Sequence, residues 1–418
     1  MIFHYLKIAF RNLYKHKTQN IISIIGLAVG LLCFCVCIYC SRFVESTDHC
    51  FTNHDRIAEL NLYDGKTDRY FSGSPVPLAE DLRTWSLGET EAISSVTYPR
   101  ERPYYVELSP EKMLPYELET IEIDTCYNKI FTPEMVAGHW KMASQSLNSV
   151  ILSQSMAIKI FGNAESAIGK HMTLMRRLNT SPESTPKTGG IVYTIQAVMK
   201  DIPLNNSLDF MQNIDMLTVN DSEGLLQSSK RHNMTGANTY VLLSPQTTCT
   251  DLEKQFLKRD YTYTLYGEAY TVTASSMGAR LKKQGASYLG LVTGTVGTLI
   301  LLVGLINFFH FLIGSFFNRT KEYSIMKMIG CNWKQLFCLL FTQSLIVISI
   351  SSILVLSGIE LLGNHMNFSL PGFAMTFTSE TLLIHALQYI VLLIILCVLI
   401  CLSVSEVKVI AKPGKEKF

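Results

Sequence analysis

Four long stretches of this 418-residue chain contain no Asp, Glu, Lys or Arg, and they constrain the fold more than any other feature. They lie between Lys17 and Arg42, Lys283 and Arg319, Lys334 and Glu360, and Glu380 and Glu406. A helix needs roughly 20 apolar residues to cross a bilayer, and each stretch reaches that length. The sequence therefore predicts an α-helical membrane protein with four transmembrane helices, one near the N-terminus and three grouped near the C-terminus.

Composition limits the classes of partner. Hydrophobic residues make up 48% of the chain and charged residues 17%, with a formal net charge of only +2. Nucleic-acid-binding surfaces carry a clear basic excess, so we expect no nucleic-acid partner.

The first apolar stretch follows basic residues, as in a signal peptide, but a small-residue cleavage site does not follow it. We therefore expect a retained membrane helix there.

The uncharged stretches also divide the chain into segments. The second stretch is longer than one crossing, so its beginning is expected to project from the membrane as a stalk. The predicted segments are a cytoplasmic amphipathic helix (1–19), transmembrane helix 1 (20–42), an extracytoplasmic domain (43–285), a stalk with transmembrane helix 2 (286–317), a cytoplasmic coupling loop (318–334), transmembrane helix 3 (335–360), an extracytoplasmic loop (361–380), transmembrane helix 4 (381–405) and a cytoplasmic tail (406–418).

Basic residues beside the short loops predict the orientation. Lys and Arg are frequent before the first apolar stretch, between the second and third, and after the fourth, whereas residues 363–379 contain neither. Basic residues accumulate in cytoplasmic loops. We therefore expect both termini and the loop 318–334 in the cytoplasm, and the domain 43–285 outside it.

The extracytoplasmic segment has the signals of a folded α/β domain. At about 240 residues it can bury its own core, and we expect two lobes. Three cysteines allow at most one disulfide there: Cys50, Cys126 and Cys249. The first predicted local element is a helix opened by Ser74 and Pro75 and continuing to Trp85. A strand ending at Leu152 is followed by a helix that Ser153 caps and Gly162 stops. We also expect a loop over Asn179–Gly190, strands over Ile191–Met199 and Tyr240–Leu243, and a helix through Arg259 with a capping box of Thr250 and Glu253.

Motifs for catalysis are missing from the sequence. The nearest approach to an ATP-binding P-loop runs from Gly162 to Lys170, but it has six residues between its glycines where the motif has four. Neither a zinc-protease helix nor a nucleophile elbow is present, and His49, His54 and Cys50 are interpreted as a solvated loop. We expect no catalytic residue, no metal site and no cofactor bound by this chain.

Two cytoplasmic segments have patterned surfaces. In the N-terminal helix, Phe10 and Leu13 fall on an apolar face with Phe3 and Leu6, while Lys7, Arg11 and Lys15 form a basic row. This pattern is typical of a helix lying in the membrane interface near lipid phosphates, although a simple anchor also fits. In the loop 318–334, Ile325, Met328 and Ile329 share one side of a helix, which suits either a docking element for a cytoplasmic partner or a connector.

Three glycines give transmembrane helix 2 a small-residue face: Gly290, Gly294 and Gly297. Such a face allows two helices to approach closely. It fits a dimer seam and ordinary packing within one subunit equally well.

Several segments have a recognisable pattern. They are the loop Arg319–Gly330 (RTKEYSIMKMIG), the N-terminal LKIAFRNL at 6–13 with IIGLAVG at 24–30, and, in the outer domain, VILSQSMAIKIFG at 150–162, AIGK at 167–170 and YTIQAVMKDIP at 193–203. Together they resemble the MacB/FtsX-like ABC transporter permeases. Each motif is weak alone, but their order and spacing cover nearly the whole chain.

The resemblance implies a mechanism and partners. Permeases of this kind sit in the bacterial inner membrane, dimerise with a second copy or a paralogue, and couple to a cytoplasmic ABC ATPase that binds ATP and Mg. Their periplasmic domains receive the movement as mechanical work, in some cases with a periplasmic adaptor and an outer-membrane duct for efflux. By position, the ATPase-coupling residues here would be Arg319, Glu322, Ile325, Met326, Ile329 and Gly330.

The cargo stays open at this point. A lipoprotein-releasing permease and an ATPase-driven regulator of a periplasmic hydrolase would share the same machinery. A membrane sensor is the alternative from another class, but it would need an output domain or a coiled-coil heptad run, and neither occurs in this sequence.

Overall fold

The computed structural model describes residues 2–410 except 16, 72, 86, 110–111, 147, 175–189, 210–211, 221–235, 266–267, 280–286, 318 and 370–378. Two compact units make up the chain: the membrane unit, formed by Met1–Glu45 with Ser287–Phe418, and the outer unit, Ser46–Ala286.

The helices are α1 (Ile2–Lys15), α2 (Lys17–Glu45), α3 (Pro77–Thr84), α4 (Tyr127–Phe131), α5 (Trp140–Gln145), α6 (Gln154–Phe161), α7 (Cys249–Lys258), α8 (Ser287–Phe317), α9 (Thr320–Met328), α10 (Trp333–Ser369) and α11 (Ser379–Ile410). The strands are β1 (Ile57–Asp64), β2 (Arg69–Tyr70), β3 (Thr90–Thr97), β4 (Arg100–Ser109), β5 (Lys112–Ile123), β6 (Met135–Gly138), β7 (Ser149–Ser153), β8 (His171–Leu174), β9 (Ile191–Met199), β10 (Met216–Val219), β11 (Ala237–Leu243), β12 (Thr262–Leu265) and β13 (Glu268–Ser276).

The membrane unit contains several long apolar helices, as predicted. Three stretches in the described part of the chain are long and apolar enough to cross a bilayer: Lys17–Glu45, Gly290–Gly314 and Trp333–Gly363. In α11 the apolar stretch is shorter, His385–Val398. A fourth crossing therefore remains a prediction.

The outer unit is built on one sheet that is richer in strand than the predicted α/β domain. Its strand order is β10-β7-β9-β8-β4-β5-β3-β11-β1-β13-β12, and β10 also pairs with β5. That extra parallel pairing joins the two ends of the first six strands into a ring. The division into two lobes remains a prediction.

Helices cover this sheet through their apolar faces. Leu78 and Leu82 of α3 and Phe256 of α7 pack with Leu60 and Val241 of the sheet. A second cluster joins α6 to the ring of strands. A third cluster packs Tyr127, Ile130 and Phe131 of α4 against strand residues that do not belong to the second cluster. Leu118 and Ile121 of β5 are three residues apart and enter different clusters. Side chains alternate between the two faces of a strand, so an odd spacing places them on opposite faces.

Several local predictions are confirmed. Ser153 caps α6 by accepting a hydrogen bond from Met156 N, and Gly162 ends that helix with φ +84°. Strand β9 has the predicted bounds, and β11 includes the predicted Tyr240–Leu243. The predicted loop over Asn179–Gly190 lies, apart from Gly190, outside the described residues. The thiols of Cys50, Cys126 and Cys249 are all free.

Two helix starts differ from prediction. Helix α3 spans Pro77–Thr84 and has Val76 at its N-cap. Ser74 is held in the sheet, where its hydroxyl lies 2.7 Å from the hydroxyl of Thr239. The predicted opening by Ser74 and Pro75 is therefore wrong, because a long-range sheet contact competes for the serine. The predicted end at Trp85 agrees with the structure, in which Trp85 is the C-cap of α3.

The predicted capping box of α7 is also wrong by two residues. Thr248 and Asp251 form the reciprocal capping bonds. Glu253 instead accepts a hydrogen bond from Ala274 N of β13 at 3.1 Å. Both spacings fit the sequence pattern, and the neighbouring strand decides which pair is used.

Candidate functional site

The short helix α9 lies between two long membrane helices, and local hydrogen bonds close its C-terminal end. Gly330 has φ +99°, a conformation that costs glycine little, and Cys331 N donates to Met326 O at 3.0 Å. Asn332 N donates to Gln335 Oε1 at 2.9 Å where α10 begins. A Cβ at Gly330 would meet nothing within 4 Å, so this glycine serves the turn between the helices.

Three side chains attach α9 to the membrane unit. Arg319 is only 5% exposed, and its Nη1 donates to Gln343 Oε1 of α10 at 3.2 Å. Tyr323 is buried against Phe316 of α8, with ring centroids 5.7 Å apart, and its pKa is raised by this burial. Met326 packs against the apolar core of the unit. A force on α9 would therefore reach α8 and α10 through these contacts.

The other side of α9 carries an exposed apolar surface. Ile325 is 51% exposed, Met328 79% and Ile329 83%, and Trp333 at the start of α10 is half exposed. We call these four residues the docking surface. Exposed apolar residues grouped in this way commonly mark a contact with another protein.

The predicted coupling residues thus separate into two groups. Ile325 and Ile329 face outward, together with Met328 and Trp333, which were not among the predicted coupling residues. Arg319 and Met326 face inward. Sequence spacing already placed Met328 beside Ile325 and Ile329, whereas Trp333 follows the turn at Gly330 and begins α10.

Glu322 lies at the edge of the docking surface. Its carboxylate is 3.6 Å from Lys15 Nζ of α1, and both side chains are exposed. This ion pair brings together the two segments, both predicted to be cytoplasmic, that the sequence singled out separately.

Helix α1 packs against the core of the membrane unit through part of its surface, and its place in the membrane interface stays a prediction. Ala9 is fully buried, Ile8 and Leu13 pack against the core of the membrane unit, and Phe10 is 59% exposed. Leu13 and Phe10 therefore do not share one buried face, because α1 packs on α10. Lys7 and Arg11 are exposed, as predicted for the basic row.

The glycine face of α8 packs against α2 of the same chain. A Cβ at Gly290 or Gly294 would lie 3.7–3.8 Å from Ser41 Oγ, and one at Gly297 would lie 2.5 Å from Cys37 Cβ. Gly30 and Gly304 also approach closely, with a Cβ on Gly30 only 3.2 Å from Gly304 Cα. These contacts correspond to the packing within one subunit that the sequence left as an alternative to a dimer seam.

In the outer unit, polar groups form structural contacts. Asp124 is almost fully buried and accepts hydrogen bonds from Arg83, Ser94 and the backbone. Burial raises the pKa of Asp209 to about 6. Among the described residues, no group of three or more His, Cys, Asp or Glu is arranged to hold a metal ion.

Comparisons with known proteins found one family and several solved structures. Among the solved structures, this chain is similar to a domain of a protein described as a permease from Porphyromonas gingivalis (20% identity, TM-score 0.41, 54% of this chain and 93% of that one). It is also similar to the periplasmic region of MacB from Actinobacillus actinomycetemcomitans (13% identity, TM-score 0.36, 58% of this chain and 96% of that one). A third similar structure is the extracellular domain of YknZ, a noncanonic ABC-type transporter from Gram-positive bacteria (12% identity, TM-score 0.33, 52% of this chain and 99% of that one). No curated protein matches the chain.

A family model matches part of the membrane unit. Residues 294–406 match the family described as FtsX-like permease C-terminal. This range includes most of α8 and all of α9 and α10, and therefore the whole docking surface. The resemblance seen in the sequence is confirmed: this chain is similar to the MacB/FtsX-like permeases and carries an FtsX-like permease C-terminal region.

Proposed function

We propose that this chain is the membrane subunit of an ATP-driven transporter of the MacB/FtsX type. A separate cytoplasmic ATPase binds ATP and Mg and hydrolyses the nucleotide. The permease converts that cycle into export of a substrate, or mechanical work on it, at the outer face of a bacterial inner membrane. The chain itself is not catalytic.

The observation that carries this proposal is the two-sided character of α9. Its docking surface exposes Ile325, Met328 and Ile329, while Arg319 and Tyr323 attach the same short helix to α10 and α8. An element that only connected two helices would not need an exposed apolar surface. An element that receives force from a partner needs both the surface and the rigid attachment.

The proposed arrangement keeps the topology expected from the basic residues. Both termini and α9 lie in the cytoplasm, four helices cross the membrane, and the outer unit lies in the periplasm. The machine acts as a dimer of this chain with a second copy or a paralogue. Because α2 covers the glycine face of α8, the dimer contact of α8 uses its exposed apolar side, which includes Leu291, Leu299 and Val303.

The test is a pull-down of the tagged chain from its native membranes in gentle detergent, followed by mass spectrometry. We expect recovery of a soluble ATPase that carries a P-loop. Ile329→Asp places a charge in the docking surface and should reduce that recovery at least tenfold, since burying one such side chain contributes about 1.5–3 kcal/mol. Leu257→Asp is the matched control, because Leu257 is similarly exposed, at 68%, on the outer unit.

Either of two results would contradict the proposal. One is the absence of any P-loop ATPase under conditions that preserve complexes of known transporters of this type. The other is equal recovery of the ATPase with Ile329→Asp and Leu257→Asp, which would show that the docking surface does not contact the ATPase.

A further inference from the structure

The exposed face of α1 combines aromatic and basic side chains. Phe10 is 59% exposed and Tyr14 79%, and Lys7, Arg11 and Lys15 are exposed beside them. The opposite face of the helix packs into the membrane unit through Ala9 and Leu13. Aromatic rings favour the headgroup region of a bilayer, and Lys and Arg attract anionic lipids there. The exposed face therefore has the composition of a lipid-headgroup surface.

The last cation of this face is shared with α9. Lys15 Nζ lies 3.6 Å from Glu322 Oε1, and the two side chains are 66% and 51% exposed. An ion pair this long and this exposed is weak. A phosphate group with a full negative charge can therefore compete with Glu322 for Lys15.

Glu322 borders the docking surface. It precedes Ile325 by three residues and Ile329 by seven, and Ile329 N donates to Ile325 O, so helical geometry continues to Ile329. Residues three and seven apart lie on one side of a helix. Release of Lys15 would therefore leave a carboxylate at the edge of the surface formed by Ile325 and Ile329.

We infer that anionic phospholipid headgroups bind the exposed face of α1 and draw Lys15 away from Glu322, so that lipid charge regulates α9. The ligand is a lipid phosphate at the membrane surface. With Lys15 on the lipid, α9 loses one attachment and Glu322 becomes available to a cation of the partner. The effect on transport rests on the proposed function, whereas the effect on α9 does not.

The experiment measures hydrogen exchange of the α9 amides in the full chain, reconstituted alone in nanodiscs. One set contains phosphatidylcholine only, and the other contains added phosphatidylglycerol. We expect α9 to exchange about twofold faster with the anionic lipid, in proportion to the loss of one weak ion pair. Lys15→Gln and Glu322→Gln should exchange at the faster rate in both lipids.

Two controls make the result specific. Lys321→Gln removes an exposed cation of α9 itself and should leave the lipid response unchanged. Soluble glycerol phosphate, added to the phosphatidylcholine discs, should have no effect, because it lacks the membrane surface that concentrates the charge.

The inference fails if the wild-type chain exchanges equally in both lipids, if Lys15→Gln still responds to phosphatidylglycerol, or if glycerol phosphate reproduces the response. It also fails if Lys15→Gln abolishes ATPase recovery in detergent without anionic lipid, since the basic face would then bind the protein partner. The exchange measurement involves no ATPase, so failure of the pull-down to find one would overturn the proposed function alone.

Discussion

Substituting Gly297 by alanine is expected to destabilise the contact between α2 and α8. A Cβ at this position would lie 2.5 Å from Cys37 Cβ and 3.2 Å from Cys37 Sγ. Carbon atoms that are not bonded approach favourably only to about 3.5–4.0 Å. Two atoms attached directly to opposing backbones cannot avoid each other by changing rotamer, so the helices must separate.

The magnitude follows from two opposing effects. Overpacking of this kind costs about 1–3 kcal/mol, while replacing glycine by alanine inside a helix gains about 0.5–1 kcal/mol. The midpoints of these two ranges give an expected net loss of about 1 kcal/mol. Gly294 lies one turn earlier on the same face, but its added Cβ would only touch Ser41 Oγ at 3.8 Å. Gly294→Ala should therefore be neutral or slightly stabilising, and it serves as the matched control.

The assay is reversible unfolding of the detergent-solubilised chain by SDS, monitored by circular dichroism. Gly297→Ala should unfold at a lower SDS fraction than the wild type, and Gly294→Ala should not. Combining Gly297→Ala with Cys37→Gly removes the opposing Cβ and should restore at least about 1 kcal/mol relative to the sum of the two single changes. Equal unfolding of the two alanine variants, or a double variant that is simply additive, would refute the assigned contact.

The remaining predictions concern the outer unit and use thermal or urea unfolding of the full chain in detergent. Asp124→Ala removes the buried carboxylate to which Arg83, Ser94 and the backbone N–H of Ser95 donate. It should cost about 3–5 kcal/mol, although Glu80 still pairs with Arg83. Lys66→Ala, which breaks the exposed pair with Glu268, should cost less than about 1 kcal/mol, and equal losses would contradict the burial argument. Burial raises the pKa of Asp209 from 3.8 to about 6, so the folded chain holds this proton more tightly than the unfolded chain, and stability declines as pH rises through that interval. Asp209→Asn should therefore be more stable than the wild type above pH 6, by about 1 kcal/mol after allowance for the partial exposure of this side chain. The difference should disappear below about pH 4. A constant difference across this range would show that titration of Asp209 does not cause it. Thr248→Ala should cost about 1 kcal/mol by removing the cap of α7, and Thr250→Ala should cost less; the opposite order would restore the capping box first predicted from the sequence.

The elements predicted correctly depend on signals confined to neighbouring residues. Ser153 reaches the backbone of Met156 three residues away, and Gly162 adopts its left-handed conformation where α6 ends. The apolar stretches in α2, α8 and α10 can likewise be recognised in the sequence, because a bilayer requires a certain length and polarity of every helix that crosses it. Such requirements act on the chain locally and can be recognised in it directly.

Tertiary contacts decided the rest. Two capping patterns were available to α7, and the bond from Ala274 N to Glu253 left only Thr248 and Asp251 for the cap. The glycine face of α8 suited either of two helix partners, and only the position of α2 showed which one it contacts.

Helix α9 shows the same division most clearly. Its sequence alone indicated a short helix between membrane segments with apolar residues on one side, and a resemblance that singled out Arg319, Met326 and Ile329. The folded chain turns Arg319 and Met326 inward, leaves Ile329 exposed, and brings Lys15 to Glu322 from over 300 residues away. Periodicity predicts that a helix has two faces, but which face is buried depends on helices distant in the sequence. Only their packing determines where a partner can bind.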